Sequence, residues 1–348
     1  MSPMVSMILL YSLGLGTIVT FASSHWLLAW MGLEVTTLAI IPLMAQRHHP
    51  RAVEAATKYF IIQATAAAMI LFASTMNAWT TGQWNVSSLS SPLASATITV
   101  ALALKIGMAP MHLWVQEVLQ GLDLLTGMIM STWQKLAPFA LIIQANQATN
   151  SAMLTTLGVV SAVVGGWGGL NQTQLRKIMG YSSIAHMGWM VIISQCAPHL
   201  TMIALGLYIT MTSAAFLTLK TLGTTKVNTL ATAWAKSPVL ASVSTLVLLS
   251  LGGLPPLTGF MSKWLILQEL TKQGFPIVAT IMALAALLSL YFYLRLCYAV
   301  TLTIYPATAN FTTTWRTQTT QLLLPLTTVT TMAIGVLPLT PAVLMLFI

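Results

Sequence analysis

Apolar stretches of about twenty residues succeed one another along almost the whole chain, separated by short polar turns. Each is long enough to cross a bilayer as a helix, which needs about 20 apolar residues. The composition leaves little for anything else: 57% of the 348 residues are hydrophobic, 5% are charged, and the mean hydropathy is +0.84. A soluble domain carries about 25% charged residues. The sequence therefore predicts an all-α polytopic membrane protein. No loop between apolar segments is long enough to hold a soluble catalytic domain. The net charge of +9 does not point to nucleic acid, because the basic residues are scattered singly. Cys196 and Cys297, the two cysteines, both lie in apolar segments, which excludes a four-cysteine iron–sulfur or zinc site on this chain.

Length and hydropathy place about eleven spans, near 3–22, 25–45, 52–79, 93–120, 124–147, 152–171, 178–196, 199–222, 238–272, 276–305 and 322–347. The loops on the side of the N-terminus then hold Arg47, Arg51, Arg176, Lys177, Lys226, Lys236 and Arg316, and those on the other side only Lys272. Such a bias marks the basic side as cytoplasmic or matrix. It puts the N-terminus there and the C-terminus opposite.

Two consecutive spans between Leu93 and Ala145 each carry a lysine near mid-depth. LASATITVALALKIGMAPMHLWVQEVLQG holds Lys105, followed by Gly107, Pro110 and His112; LLTGMIMSTWQKLAPFALIIQA holds Lys135. A lysine at bilayer depth costs about 2.5–3.5 kcal/mol on insertion scales. Pro110 lacks an N–H, so the carbonyl of Ile106 loses its helical partner one residue past Lys105. Irregular backbone at membrane depth is tolerated only inside protein or beside a water-filled cavity. A buried lysine beside an opened helix is a candidate proton or ion site.

The ninth span repeats this design. Gly252-Gly253-Leu254-Pro255-Pro256 interrupts it, the prolines free the carbonyls of Leu251 and Gly252, and Lys263 follows. Spans four and nine lie five apart, so two five-helix units in series would face opposite ways across the membrane. Paired broken segments in inverted halves are a pointer to a transport site. The expected organisation is a single membrane domain, 1–348, with repeats near 1–147 and 150–305 and a C-terminal helix near 322–347.

Other ionisable groups fit the same frame loosely. Glu34 in span two and His186 in span seven are again five spans apart, as are Lys135 and Arg295 in spans five and ten. Glu34 is the only acid deep in any span, and Lys105 is its candidate partner, since pairing keeps both groups charged. His186 is equally readable as a hydrogen-bonded core histidine or as a proton relay, and His112 is similar. Lys58 and Lys220 lie nearer the basic surface, where snorkelling explains them at least as well as function does. His48 and His49 beside Arg47 and Arg51 read as an interfacial cluster, and Glu117 and Asp123 as loop or helix-end charges. The glycine runs at Gly14–Gly16 and Gly165–Gly169 read as close helix packing.

The segments KIGMAPMHLWVQEV, STWQKLAP, LRKIMGYSSIAHMGWM and LGGLPPLTGFMSKW resemble the signatures of the antiporter-like membrane subunits of proton-pumping NADH:quinone oxidoreductase, respiratory complex I. In order, length and spacing the resemblance covers essentially the whole chain and is to the mitochondrial members. It implies two inverted five-helix repeats, each with a broken helix, and a midplane chain of charged residues and water. By motif, Glu34 matches the family's glutamate that pairs with the broken-helix lysine, here Lys105. Lys135 matches the central lysine, Lys263 the lysine after the second break, and His186 the histidine of the SSIAHMG segment. Bacterial members have about fourteen helices, and the three lacking here are N-terminal. The resemblance further implies residence in the mitochondrial inner membrane beside other membrane-arm subunits rather than as a homo-oligomer. NADH, FMN, iron–sulfur clusters and ubiquinone would be held by other subunits, with no cofactor on this chain.

The function expected is proton translocation coupled to electron transfer from NADH to ubiquinone elsewhere in the complex. Burial favours the neutral form of a lysine and a nearby carboxylate the charged form. Moving Glu34 or a proton relative to Lys105 could thus switch it between binding and release. Two alternatives use the same features: a secondary cation/proton antiporter subunit without redox coupling, and a structural spacer that conducts nothing. The span count makes a topological prediction. Membrane-impermeant labelling should reach the loops of Arg176 and Lys226 from one face and that of Lys272 from the other; access from a shared face would end the eleven-span model.

Overall fold

A computed structural model describes residues 2–46, 49–146, 149–235, 237–302 and 324–347. It is helical throughout and divides into two compact units, Met1–Ser161 and Ala162–Ile348. The basic loop residues Arg47, Lys236 and Arg316, and His48, lie outside the described residues.

The first unit comprises α1 (Pro3–Ala22), α2 (Trp26–Met44), α3 (Pro50–Thr81), α4 (Pro92–Ile106), α5 (Leu113–Gly121), α6 (Leu124–Thr132), α7 (Leu136–Gln144) and the start of α8 (Ser151–Gly169). The second holds the remainder of α8, then α9 (Leu175–Ser194), α10 (Pro198–Leu222), α11 (Val227–Ala231), α12 (Pro238–Gly252), α13 (Thr258–Lys272), α14 (Pro276–Thr301), α15 (Leu324–Gly335) and α16 (Thr340–Phe347). Six of the described helices, α1, α2, α3, α8, α10 and α14, are long and apolar enough to cross a membrane by themselves. The other expected spans are built from shorter or interrupted pieces, or, in α9, from a more polar helix.

Proline and glycine punctuate the helices in the sense their chemistry favours. Pro3, Pro50, Pro92, Pro198, Pro238 and Pro276 stand at or next to helix starts, where a missing N–H costs nothing. Gly82, Gly107, Gly223 and Gly253 end α3, α4, α10 and α12 in the left-handed conformation.

Both expected interruptions are present, but their cause is refined. The end of α4 is set by Gly107 (φ 83°), whose N–H donates to Ala103 O at 2.9 Å while Met108 N–H donates to the same carbonyl at 2.9 Å. The chain has thus left the helix before it reaches Pro110. The end of α12 follows the same plan: Gly253 (φ 80°) donates to Leu249 O at 3.1 Å, with Leu254 N–H at 3.5 Å from that oxygen. Each of these helices is 15 residues long, starts on proline and is followed by a left-handed glycine.

The fifth expected span, read as one helix, is also interrupted. A tight 3₁₀ turn, Trp133–Lys135, separates α6 from α7. Pro138 has no N–H for the carbonyl of Gln134 and crowds it. Just before the turn, the hydroxyls of Ser131 and Thr132 both donate back to Met128 O, at 3.0 and 2.7 Å, which bends a helix further. The end of the chain is divided too: a 3₁₀ turn, Leu337–Leu339, lies between α15 and α16.

The glycine runs act largely as close packing. A Cβ on Gly16 of α1 would lie 2.8 Å from Gly32 O of α2, and one on Gly32 2.9 Å from Gly16 O, so these helices touch backbone to backbone. Gly168 and Gly169 similarly receive the rings of Tyr181 and Phe292. Gly14, by contrast, has open space around it. A stability prediction follows from these environments. Gly253→Ala places a Cβ in the left-handed region and 3.0 Å from Lys263 Nζ, and should destabilise by about 1–2 kcal/mol. Gly14→Ala, in open space inside a helix, should be neutral or stabilising by up to about 1 kcal/mol. Thermal denaturation of the assembled complex reads the difference.

Candidate functional site

In the first unit, Lys105 sits in the last turn of α4, where the helix's free carbonyls favour a cation. The residue is 5% exposed, and its Nζ is buried without a hydrogen bond to any described atom. Gln63, buried on α3, donates Nε2 to the Lys105 carbonyl at 3.4 Å, so one of the carbonyls opened by the interruption is met by a neighbouring helix. This glutamine was not singled out in the sequence; the signal was an amide in the middle of an apolar span.

Glu34 lies half-buried midway along α2. Thr37 Oγ1 stands 2.9 Å from its carbonyl and 3.2 Å from its Oε2. The expected pairing with Lys105 is not made as a contact: no direct ion pair joins Glu34 to Lys105 among the described residues.

Lys135 is 5% exposed and ends the 3₁₀ turn between α6 and α7. The preceding Gln134 donates Nε2 to Thr36 O at 3.1 Å, tying this turn to α2 two residues from Glu34. The structure thus ties the Lys135 turn to the helix of Glu34 through a residue that sequence reasoning passed over. His112 is the residue before α5, half-buried, with Nδ1 3.1 Å from Pro110 O of its own loop.

Lys58 has more specific company than a snorkelling side chain. Its Nζ is 2.8 Å from both Glu54 and Glu117 carboxylates. Glu117 is therefore neither a loop nor a helix-end charge: it stands inside α5 and crosses to α3.

In the second unit, Lys263 on α13 is 9% exposed and donates Nζ to Gly252 O at 2.7 Å. That carbonyl is the last of α12, one of the two the prolines leave without a helical donor. Lys263 thus caps the interrupted helix from its continuation. A narrow cleft brings Lys263 together with His186, Ser182, Trp189, Ser289 and Tyr293, from α9, α13 and α14. The ring of His186 lies 5.6 Å from that of Tyr208 on α10. Arg295, whose span corresponds to that of Lys135 in the repeat scheme, donates Nη1 to Leu170 O at 2.6 Å, just past α8. Glu34, Lys105, Lys135 and His112 therefore belong to the first unit, and His186 and Lys263 share one cleft in the second.

Comparison with known proteins shows the family and the fold. The family described as NADH:quinone oxidoreductase/Mrp antiporter membrane domains matches residues 23–289, and that of the NADH dehydrogenase subunit 2 C-terminus matches 290–344. NADH-ubiquinone oxidoreductase chain 2 of Carassius auratus is 73% identical over 346 residues, spanning 99% of each chain. That of Danio rerio is 70% identical over 346 residues with the same coverage. Among solved structures, a chain of respiratory complex I from Thermus thermophilus superposes with a TM-score of 0.79 at 29% identity, over 87% of this chain and 72% of that one. A chain of the Mrp complex from Dietzia shares the fold, with a TM-score of 0.76 at 16% identity, over 85% of this chain and 60% of that one. The full-length relatives do not favour the antiporter without redox coupling. With both family matches and relatives of this identity along its whole length, the chain belongs to the NADH-ubiquinone oxidoreductase chain 2 family of complex I membrane subunits.

Proposed function

We propose that this chain, a proton-translocating membrane subunit of NADH:ubiquinone oxidoreductase, moves protons through Lys105 and Lys135 in its first unit and Lys263 and His186 in its second. Glu34 biases Lys105 through its charge, and His112 serves the interrupted segment that follows. The observation that carries this reading is the placement of lysines. Lys105 and Lys135 lie at two interruptions of the apolar helices, and Lys263 caps a third. Opened backbone and buried charge are each costly in a bilayer, and their coincidence supports a path for ions.

The matched plan of α4 and α12 supports the repeat organisation near 1–147 and 150–305, with the C-terminal helix beyond. The resemblance to the mitochondrial members supports an inner-membrane location, and the bias of loop charges then supports an N-terminus on the matrix side and a C-terminus on the intermembrane-space side. The partners are the other membrane-arm subunits of complex I, not a second copy of this chain. NADH, FMN, iron–sulfur clusters and ubiquinone belong to those other subunits.

Lys135 tests the reading most directly. Lys135→Met should lower proton pumping and coupled quinone reduction about tenfold or more while the complex assembles. Lys135→Arg keeps the charge, but a guanidinium does not release its proton in this range, so it should fail as well. A fixed electrostatic role predicts the reverse, with Arg tolerated. Proton uptake and NADH-driven quinone reduction in vesicles separate the two; normal pumping by the Arg variant would end the carrier role.

A further inference from the structure

Helix α13 bears the caps of two other helices. Lys263 donates to Gly252 O, the last carbonyl of α12. Thr258, the fully buried first residue of α13, donates Oγ1 to Ala333 O of α15. Ala333 is among the last four residues of α15, whose carbonyls have no N–H of their own helix to accept from. Hydroxyls nearby behave otherwise: Ser250, Ser262 and Ser289 donate back to carbonyls three residues earlier in their own helices. Thr258, at the start of α13, has no such helical carbonyl behind it, and its hydroxyl reaches outward.

The two caps stand on adjoining faces of α13. Gly259 lies four residues before Lys263 and so on the same face. A Cβ on Gly259 would run into Ser250 O of α12, so this face lies directly on the end of α12. Thr258 is about 100° round the helix from Gly259. It points to α15, whose buried stripe is Leu326, Thr330 and Ala333. Contact on one face leaves a helix free to roll about its axis; contact on two faces does not. The reach of 2.7 Å from Lys263 Nζ to Gly252 O depends on that roll.

We propose that Thr258 is a positioning residue for Lys263: its bond to Ala333 O locks α13 against the C-terminal helix α15 and so holds the lysine amine on Gly252 O. A helix beyond the two repeats thereby becomes part of the proton-handling site of the second. Thr258 itself exchanges no proton. The other titratable groups at Lys263 are His186 of α9 and Tyr293 of α14, with Tyr208 of α10 against His186. Neither α12 nor α15 carries a titratable residue. The inference rests on the reading of Lys263 as a proton carrier.

Thr258→Val keeps the shape and removes the hydroxyl. The intact complex carrying it should pump about fivefold fewer protons per NADH oxidised, because Ala333 O loses its donor and α13 can roll. The alkaline limb of its pumping profile should also move to lower pH, since an ammonium displaced from Gly252 O loses its charge-assisted bond. Thr258→Ser returns the hydroxyl and should restore both. An electron cryomicroscopy map of the Val complex should show Lys263 Nζ withdrawn from Gly252 O; an unchanged contact would overturn the proposal. So would an unshifted profile, or equal losses in the Val and Ser complexes, which packing alone predicts. Thr258→Ala gives the same readings if valine blocks assembly; if only Ser assembles, the hydroxyl serves the fold and the proposal fails. Lys263→Met separates the two levels. If it pumps normally, the carrier reading of Lys263 is wrong. If it does not pump while Thr258→Val keeps the parent rate and profile, only the role of Thr258 is refuted.

Discussion

In a bilayer no solvent stands ready for a carbonyl that leaves its helix, so every interruption has to be met by a donor from elsewhere in the protein. The structure is arranged around that requirement. Gly107 and Gly253 turn their own N–H groups back onto α4 and α12. Beyond them the answers diverge. Gln63 reaches the Lys105 carbonyl in the first unit, whereas Lys263 reaches Gly252 in the second. A neutral amide caps one break and an ammonium the other, so only in the second is the cap itself a titratable group.

This difference bears on mechanism. Where the capping group is a lysine, loss of its proton also removes part of the charge-assisted bond that holds the helix end. Protonation and backbone geometry at the α12–α13 junction are then linked. In the first unit the lysine's ammonium is free of the capping duty, which the glutamine carries. Gln134 plays a comparable part at the third interruption, anchoring the turn of Lys135 to the segment of α2 that holds Glu34. Gln63 and Gln134 thus fix the backbone beside charged groups.

Much of the site was legible beforehand because charge is so rare here. With 5% charged residues, a lysine inside an apolar run stands out, and Lys105, Lys135 and Lys263 were visible on that ground alone. The interruptions at GMAP and GGLPP were visible because proline and glycine act locally. The break at Lys135 was missed because its causes, a proline three residues on and two back-bonding hydroxyls, are each tolerated in ordinary helices. The Lys58–Glu117 ion pair was missed because it joins residues far apart in the chain, and no periodicity reports on such a contact.

Sequence alone determined that the chain is a bundle of apolar helices, where most of them start and stop, and which few residues carry charge into them. Those properties follow from hydropathy and from the backbone chemistry of single residues. Tertiary structure decided who meets whom. It kept Glu34 and Lys105 from a direct pair, joined His186 to Lys263 in one cleft, and sent Gln63, Gln134 and Arg295 to carbonyls of distant segments. A polar side chain inside an apolar run shows in the sequence, but its partner does not, because only packing brings an unsatisfied group of another segment within hydrogen-bond reach.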